Sequence, residues 1–176
     1  MGNKAIFLDR DGVLNKTIFR DGKPRAPYII EDFALFDGVI EAVQSFKKAG
    51  YLTVIVTNQP DVNRGWVSRE SVEMINLEIT KLVQIDSVKI CYHDNKDSCL
   101  CRKPAPGMLL EAARELNIDL SQSFMIGDRY SDVEAGHLAG CRSLLVGEGD
   151  AQGAVKDPVA RVQSLLEAAQ WILTHA

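Results

Sequence analysis

Acidic side chains stand directly after two apolar segments of the chain. Asp9 and Asp11 lie one residue apart in FLDRDG at 7–12, and Asp128 follows an apolar run in GDRYSD at 127–132. Negative charge beside buried strands is costly unless a cation or hydrogen-bond donors compensate it. A divalent cation between these carboxylates would provide that compensation. The spacing therefore favours Asp9 as a nucleophile or metal ligand, Asp11 as an acid–base group, and Asp128 as a further acid for the same cation.

Each acidic segment also has a purely structural interpretation. FLDRDG can be a polar turn that closes a strand, with Gly12 supplying a positive φ. Asp132, the last residue of GDRYSD, can be an acidic residue in the first turn of a helix, where the macrodipole favours negative charge. Taken one at a time, the segments leave both interpretations open.

Hydrogen-bond donors and cations follow two other segments. VTNQ at 56–59 ends a β-rich run with the hydroxyl of Thr57, which suits donation to a phosphoryl oxygen. Arg102 and Lys103 precede Pro104, and lysine suits the offsetting of charge on a transferring phosphoryl group. On its own, such a threonine is usually structural, and two adjacent cations usually form a solvated loop. Their significance depends on whether the fold brings them to the acids.

Three cysteines and a histidine fall within the loop 91–101, in the pattern C-x-H-x5-C-x-C. Disulfides are rare in a reducing compartment, and a reactive cysteine usually needs a CxxC pattern or a helix amino terminus. A Cys3His set is a standard tetrahedral zinc site, and four protein ligands leave no open position. The pattern therefore favours structural zinc. The ligands would be Cys91, His93, Cys99 and Cys101. Cys141 lies apart in an apolar setting and is predicted to be a core residue.

Composition limits the classes of protein that the chain can belong to. The 176 residues are 46% hydrophobic and 25% charged, which is ordinary for a globular protein, and the length suits one domain over 1–176. The net charge of −4 comes without a basic stripe, which disfavours a nucleic-acid partner. The amino terminus lacks a signal-peptide layout, and the apolar runs fall far short of the roughly 20 residues that span a bilayer. We expect a cytoplasmic monomer without a membrane partner.

Short apolar runs alternate with segments of helical periodicity, and this alternation predicts an α/β fold. Strands are predicted at 5–9, 52–58, 88–93, 123–128 and 143–147. Helices are predicted at 38–49, 69–83, 106–116, 131–139 and near 159–174. Ser68 and Ser131 are the expected N-caps of the second and fourth helices. The segments 16–33 and 94–106 read as irregular insertions.

Such an alternation is typical of a doubly wound, mostly parallel sheet in a single domain. In open sheets of this kind, ligands bind outside the carboxyl ends of the strands. DRDG, TNQ, CYH and GDRYSD all follow predicted strands. The sequence therefore predicts that the acids, the hydroxyl and the zinc loop meet at one edge of the sheet.

The combination DxDG, Thr57, Lys103 and GDxxxD, in this order over residues 4–147, resembles the haloacid-dehalogenase-like (HAD) phosphatases. The resemblance implies the Rossmann-like HAD fold without a large cap domain. It also implies an aspartyl-phosphate mechanism, in which Asp9 attacks the substrate phosphorus. Asp11 would protonate the leaving alcohol and then activate water.

The same resemblance implies a set of ligands. Magnesium would be held by Asp9, the backbone carbonyl of Asp11, and Asp128. The implied contacts to the substrate are Thr57, Asn58 and Lys103. A non-catalytic binding module stabilised by zinc is the alternative from another class, although such a module needs no paired acids at strand ends.

Within the family, the zinc tetrad resembles that of the histidinol-phosphate and heptose-bisphosphate phosphatases. The short zinc loop and the Gly-Asp-Arg at 127–129 resemble the former. The heptose-bisphosphate phosphatases are resembled by two other motifs, TNQ-x4-RG at 57–65 and RKPxPGM at 102–108. We favour this second subgroup, although residues 60–63 depart from the small residues that it usually has after TNQ. A small phosphorylated sugar is then the expected substrate. A second phosphate on it would need its own cations, for which Arg64 and Arg102 are the candidates.

Overall fold

The computed structural model describes residues 2–150 and 157–176 of the chain. Their strands are β1 (Lys4–Leu8), β2 (Ile18–Arg20), β3 (Lys23–Arg25), β4 (Tyr51–Asn58), β5 (Ser87–Cys91), β6 (Phe124–Gly127), β7 (Arg142–Val146) and β8 (Ala160–Val162). Their α-helices are α1 (Val39–Lys48), α2 (Arg69–Val83), α3 (Gly107–Glu115), α4 (Tyr130–Ala139) and α5 (Leu165–His175).

Six strands form one parallel sheet in the order β5-β4-β1-β6-β7-β8. The chain winds outward from β1 in one direction through β4 and β5, and in the other through β6 to β8. Leu8 of β1 is in register with Ile55 of β4 and with Ile126 of β6. The residues that follow these three positions therefore emerge side by side at the carboxyl edge, as the sequence predicted.

Both faces of the sheet are covered, because successive side chains of a strand point to opposite faces. Ile6 and Leu8 of β1 pack in a core shared with α1, α2 and α5. Ala5 and Phe7 pack in a second core shared with α3 and α4. The prediction of a doubly wound α/β fold is confirmed, and no large cap is present in the described parts of the chain.

Two details of the helix prediction are wrong. Residues 160–162, predicted as helix, form the edge strand β8, which extends the sheet beside β7; α5 begins only after Ser164, whose hydroxyl accepts from the Glu167 N–H at 3.2 Å. Ser131 does not cap α4, because Arg129 occupies the N-cap position. Ser68 caps α2 as predicted, accepting from the Ser71 N–H at 3.0 Å.

The predicted irregular insertion at 16–33 contains a small antiparallel hairpin. Strands β2 and β3 pair through Ile18 with Arg25 and Arg20 with Lys23, away from the main sheet. The hairpin stands beside the carboxyl edge and supplies residues to the cleft there. Of the helices that the structure describes, none has the length and apolar character needed to cross a membrane.

Candidate active site

Three carboxylates converge at the carboxyl edge of the sheet. Asp9 follows β1, Asp128 follows β6 and Asp132 lies in the first turn of α4; one oxygen of each lies within 4.8 Å of the others. Burial raises the pKa of Asp128 to about 8, and the charges of Asp9 and Asp132 add to the shift. Oδ1 of Asp128 is buried without a hydrogen-bond partner among the described residues. Clustered hard oxygen ligands with an unsatisfied buried oxygen fit a divalent cation such as magnesium.

Glycines make room for this cluster. Gly12 has φ +95°, and a Cβ there would lie 2.2 Å from Oδ2 of Asp128. A Cβ on Gly127 would lie 2.1 Å from the Cβ of Asp132. FLDRDG thus forms the turn expected of Gly12 and also belongs to the site. Asp132 likewise meets both interpretations, since it lies in the first helical turn and in the carboxylate cluster.

Lys103 supplies a buried positive charge to the cluster. Its Nζ lies 2.8 Å from Oδ1 of Asp9 and 2.6 Å from Oδ1 of Asp132, and donates to the Val56 carbonyl at 2.7 Å. Burial alone would lower the pKa of Lys103, but the charges of Asp132 and Asp9 outweigh it and raise that pKa. Burial also raises the pKa of Asp132, to about 6, against the opposing effect of Lys103. Lys103 is therefore a cation at the place where a phosphoryl group would contact Asp9.

Asn58, which the sequence placed among the substrate contacts, lines the cleft and holds the backbone of Lys103. Its Nδ2 donates to the Lys103 carbonyl at 3.1 Å, and its Oδ1 accepts from the Lys103 N–H at 3.1 Å. Both ends of the amide are thus used on the backbone of Lys103. The structure assigns Asn58 to positioning that lysine across the gap between β4 and the zinc loop.

Asp11 is surrounded by donors. Arg10 donates to its Oδ2 from Nε at 3.1 Å and from Nη2 at 2.9 Å, and Asn15 donates to its Oδ1 at 3.0 Å. Nε2 of Gln59 lies 2.6 Å from Oδ2 of Asp11 and 2.9 Å from the hydroxyl oxygen of Thr57. Gln59 therefore links the acid of DRDG to the hydroxyl of VTNQ, and both side chains line the same cleft.

The Cys/His tetrad closes into a compact cluster, as the sequence predicted. The three sulfur–sulfur distances are 3.7 Å for Cys91–Cys99, 3.2 Å for Cys91–Cys101 and 3.5 Å for Cys99–Cys101. Nδ1 of His93 lies 3.5 Å from the Cys91 sulfur and 3.3 Å from that of Cys101. A tetrahedral zinc with bonds of about 2.3 Å needs similar separations. All four cysteines are free thiols, and Cys141 is a core residue as expected.

The cluster is placed to organise the next residues of the chain. The Arg102 N–H donates to the Cys99 sulfur at 3.3 Å. The Arg102 side chain donates from Nε to Oδ1 of Asn95 at 2.8 Å and from Nη1 to the His93 carbonyl at 3.2 Å. Both partners belong to the zinc loop. A bound zinc would therefore fix the backbone that carries Arg102 and Lys103 into the cleft.

The two candidate arginines lie in different electrostatic surroundings. Both line a cleft of about 700 Å³. Arg64 contacts Asp94 from Nε at 2.9 Å and Nη2 at 2.6 Å, and Asp61 from Nη1 at 2.9 Å. Arg102 pairs with no carboxylate in the described parts of the chain. In this conformation two acids engage the whole fork of Arg64, and its contact with a phosphate stays a prediction. The guanidinium of Arg102 is not engaged by a described carboxylate in this way.

Known proteins share this architecture. A family model described as HAD-hydrolase-like matches residues 100–168. A D-glycero-beta-D-manno-heptose-1,7-bisphosphate 7-phosphatase of Haemophilus influenzae is 41% identical over 147 residues, which are 76% of each chain. The chain belongs to the HAD-like hydrolase family.

Two further matches extend over more of this HAD-like hydrolase. A D-glycero-alpha-D-manno-heptose-1,7-bisphosphate 7-phosphatase of Burkholderia mallei is 38% identical over 164 residues, 86% of this chain and 84% of that protein. A solved structure of the D,D-heptose 1,7-bisphosphate phosphatase from B. bronchiseptica, complexed with magnesium and phosphate, superimposes with a TM-score of 0.86. It is 30% identical, and the match covers 98% of this chain and 99% of that one.

In this HAD-like phosphatase, the structure brings together most of the side chains singled out from the sequence. The convergent set comprises Asp9, Asp11, Thr57, Lys103 and Asp128. Arg10 and Gln59 were not assigned a role from the sequence, although Gln59 belongs to the same TNQ as Thr57. Their importance depends on contacts with Asp11, which residue types alone did not indicate. As an enzyme of a catalytic family, the protein does not fit the alternative of a non-catalytic module.

Proposed function

We propose that the protein is a magnesium-dependent phosphatase that removes the 7-phosphate of D-glycero-D-manno-heptose 1,7-bisphosphate. The observation that carries this proposal is the buried junction of Asp9, Lys103 and Asp128 at the carboxyl edge of the sheet. The names of the relatives supply the substrate class. The cytoplasmic location, the monomeric state and the lack of a nucleic-acid or membrane partner stay predictions from the sequence.

In the first half of the reaction, the Asp9 carboxylate attacks phosphorus. The new bond from an Asp9 oxygen to phosphorus forms while the bond from phosphorus to the sugar oxygen breaks. Asp11 gives its proton to that departing oxygen, so the sugar leaves as a neutral alcohol. Thr57 and Lys103 donate to the phosphoryl oxygens and stabilise the charge that they carry. The products are the sugar and an aspartyl phosphate on Asp9.

In the second half, Asp11 is a carboxylate and acts as a base. It takes a proton from a water molecule, whose oxygen attacks the phosphorus of the aspartyl phosphate. The bond between phosphorus and Asp9 breaks, and its electron pair returns to the Asp9 carboxylate. Inorganic phosphate leaves, and Asp11 holds the proton needed for the next cycle. Gln59 suits this double role, because its amide links Asp11 to Thr57.

The carboxylate cluster fits the metal that this chemistry needs. Asp9 and Asp128, with the backbone carbonyl of Asp11, would hold magnesium. When bound, the ion neutralises charge on the transferring phosphoryl group. Asp132 contributes differently, since its carboxylate contacts Lys103 at 2.6 Å and accepts from the Arg129 N–H at 3.0 Å. We assign Asp132 to holding Lys103 in place.

The second phosphate of the substrate would bind at Arg102. Lys103 is committed to Asp9, and Arg64 is engaged by Asp61 and Asp94. Arg102 lines the cleft without a carboxylate among its described partners, and its side-chain bonds go to an amide and a carbonyl. A planar guanidinium can bind phosphate oxygens in a bidentate way.

A panel of phosphorylated substrates tests the proposal. The panel contains both anomers of heptose 1,7-bisphosphate, a heptose monophosphate and histidinol phosphate, and released phosphate is measured with and without magnesium. We expect one or both bisphosphates to give the highest kcat/KM, with no turnover by the Asp9→Asn variant. A clear preference for histidinol phosphate would instead support the other subgroup that the sequence resembles. No magnesium-dependent release from any substrate would refute the proposal.

A further inference from the structure

We propose that Arg10 is a positioning residue for the acid–base group Asp11, acting through a buried contact to Asn76 on α2. This inference rests on the proposed function and deepens it, because it concerns how the proton donor is held. Arg10 is the middle residue of the DRD segment and does not line the cleft. Its effect on the reaction would therefore pass entirely through Asp11.

Arg10 is among the most completely buried side chains of the protein, with no exposed surface. The Arg10 guanidinium donates hydrogen bonds to both oxygens of the Asp11 carboxylate. Nη2 lies 3.0 Å from Oδ1 and 2.9 Å from Oδ2, and Nε lies 3.1 Å from Oδ2. The opposite side of the guanidinium is anchored, since Nη1 donates to Oδ1 of Asn76 at 2.9 Å. Asn76 is itself buried in the middle of α2.

A guanidinium without solvent contact needs acceptors for its N–H groups, because buried donors without partners are costly. The carboxylate that ion-pairs with Arg10 among the described residues is that of Asp11. The bidentate contact also fixes the plane of that carboxylate. Anchorage to α2 then sets this plane relative to the sheet, so the acid is held by a helix as well as by its own turn. A shift of about 1 Å in such a group can cost roughly 100-fold in rate.

The chemistry of the leaving group separates this role from a merely structural one. A sugar alkoxide is a poor leaving group and needs the proton of Asp11. The aryl oxide of 4-nitrophenyl phosphate leaves without one. In the first turnover, before Asp11 acts as a base, a misplaced Asp11 should therefore slow release of the sugar and leave release of the aryl oxide nearly unchanged. General damage to the fold or to the metal site would slow both.

The test compares Arg10→Lys with wild-type protein on heptose 1,7-bisphosphate and on 4-nitrophenyl phosphate, under saturating magnesium, and measures release of the sugar or of 4-nitrophenolate in the first turnover. Lysine keeps the buried charge but lacks the fork. We expect first-turnover release of the sugar to slow about 10- to 100-fold, part of the 10²–10⁴-fold that acid–base help supplies. First-turnover release of 4-nitrophenolate, which needs no proton from Asp11, should slow less than about threefold. In an Asp11→Asn background, Arg10→Lys should add little, since the two residues act as a unit.

Asn76→Ala gives a milder perturbation should Arg10→Lys fold poorly, because it leaves the ion pair and removes only its anchor. We expect the same selective loss at a smaller size. Arg142→Lys is the matched control at the other end of the sheet, where the guanidinium packs on Phe124. Thermal unfolding and zinc content verify the fold of each variant. Equal first-turnover losses on both substrates in a folded Arg10 or Asn76 variant would overturn the inference, whereas an inactive wild-type protein would overturn the proposed function instead.

Discussion

Replacing Lys103 with methionine removes the charge that stands between Asp9 and Asp132, 2.8 Å from one and 2.6 Å from the other. The Lys103 side chain is only 2% exposed, so water cannot take its place. Breaking a buried pair by removing one partner costs about 3–5 kcal/mol. For a protein of this length, where each kcal/mol shifts the thermal midpoint by roughly 2–4 °C, we expect a fall of about 6–20 °C. Turnover should be abolished.

The stability lost in the Lys103→Met variant should depend on pH. Without Lys103, the pKa of Asp132, which burial already raises to about 6, has no opposing cation. A carboxyl group whose pKa is raised in the folded state favours folding when it is protonated, and this contribution is lost as pH rises through that pKa. The variant should therefore be much less stable than wild type at pH 8 and closer to it at pH 5. Thermal unfolding in magnesium-free buffer measures both differences.

Two control variants sharpen this prediction. Lys47→Met breaks a pair with Asp86 that is as short, 2.6 Å, but about 30% exposed on the lysine side. Such a pair contributes at most about 1 kcal/mol. The double variant Lys103→Met with Asp132→Asn removes both charges of the buried pair and should recover much of the stability but no activity. A Lys103→Met protein that unfolds within a degree or two of wild type at pH 8 would show that Lys103 does not stabilise the buried acids.

Three further predictions follow from the metal sites and the cleft. The purified protein should carry about one zinc per chain. The Cys99→Ser variant should lose this zinc and show faster hydrogen exchange at 91–103 before the sheet unfolds. Zinc-free protein in which 91–103 stay fully protected from exchange would contradict this prediction. Apparent magnesium affinity should strengthen as pH rises through about 8, because the pKa of Asp128 is raised to about 8 and binding requires the ionised form. A magnesium affinity that stays constant from pH 6 to 9 would contradict this prediction. Arg102→Ala should lower kcat/KM for the bisphosphate about 10- to 100-fold, the loss expected when one charged hydrogen bond is removed, and should leave kcat/KM for a small monophosphate unchanged. Arg64→Ala should lower kcat/KM for the two substrates by the same factor. The opposite result for the two variants would assign binding of the second phosphate to Arg64.

The parallel sheet could be predicted because each central strand is a continuous apolar run, which is the pattern of strands buried on both faces. The Cys3His tetrad and the DxD pair could be predicted because their residue types are chemically unusual and close together in sequence. β8 could not, since Ala160–Val162 is a short edge strand whose pairing depends on β7. The hairpin at 18–25 was missed for the same reason, because its charged residues carry no apolar alternation.

The missed parts of the site depend on pairs that lie far apart in the sequence. Arg64 looked available in the sequence, but Asp94, 30 residues away, reaches its fork. Arg10 looked like a spacer between two acids, although Asn76, 66 residues away, anchors it. In each case the chemistry of the residue was clear, and the fold decided which partner it meets. Residue types therefore indicated the proposed catalytic groups better than the residues that position them.

The proposed mechanism requires that Asp9 becomes phosphorylated during turnover. Protein mixed with heptose 1,7-bisphosphate and magnesium, acid-quenched within the first turnover and digested, can be examined by mass spectrometry for a phosphoryl adduct. We predict the adduct on the peptide that contains Asp9, with none in the Asp9→Asn variant. Phosphate release at the wild-type rate by Asp9→Asn, or turnover with the adduct on another residue, would contradict this mechanism.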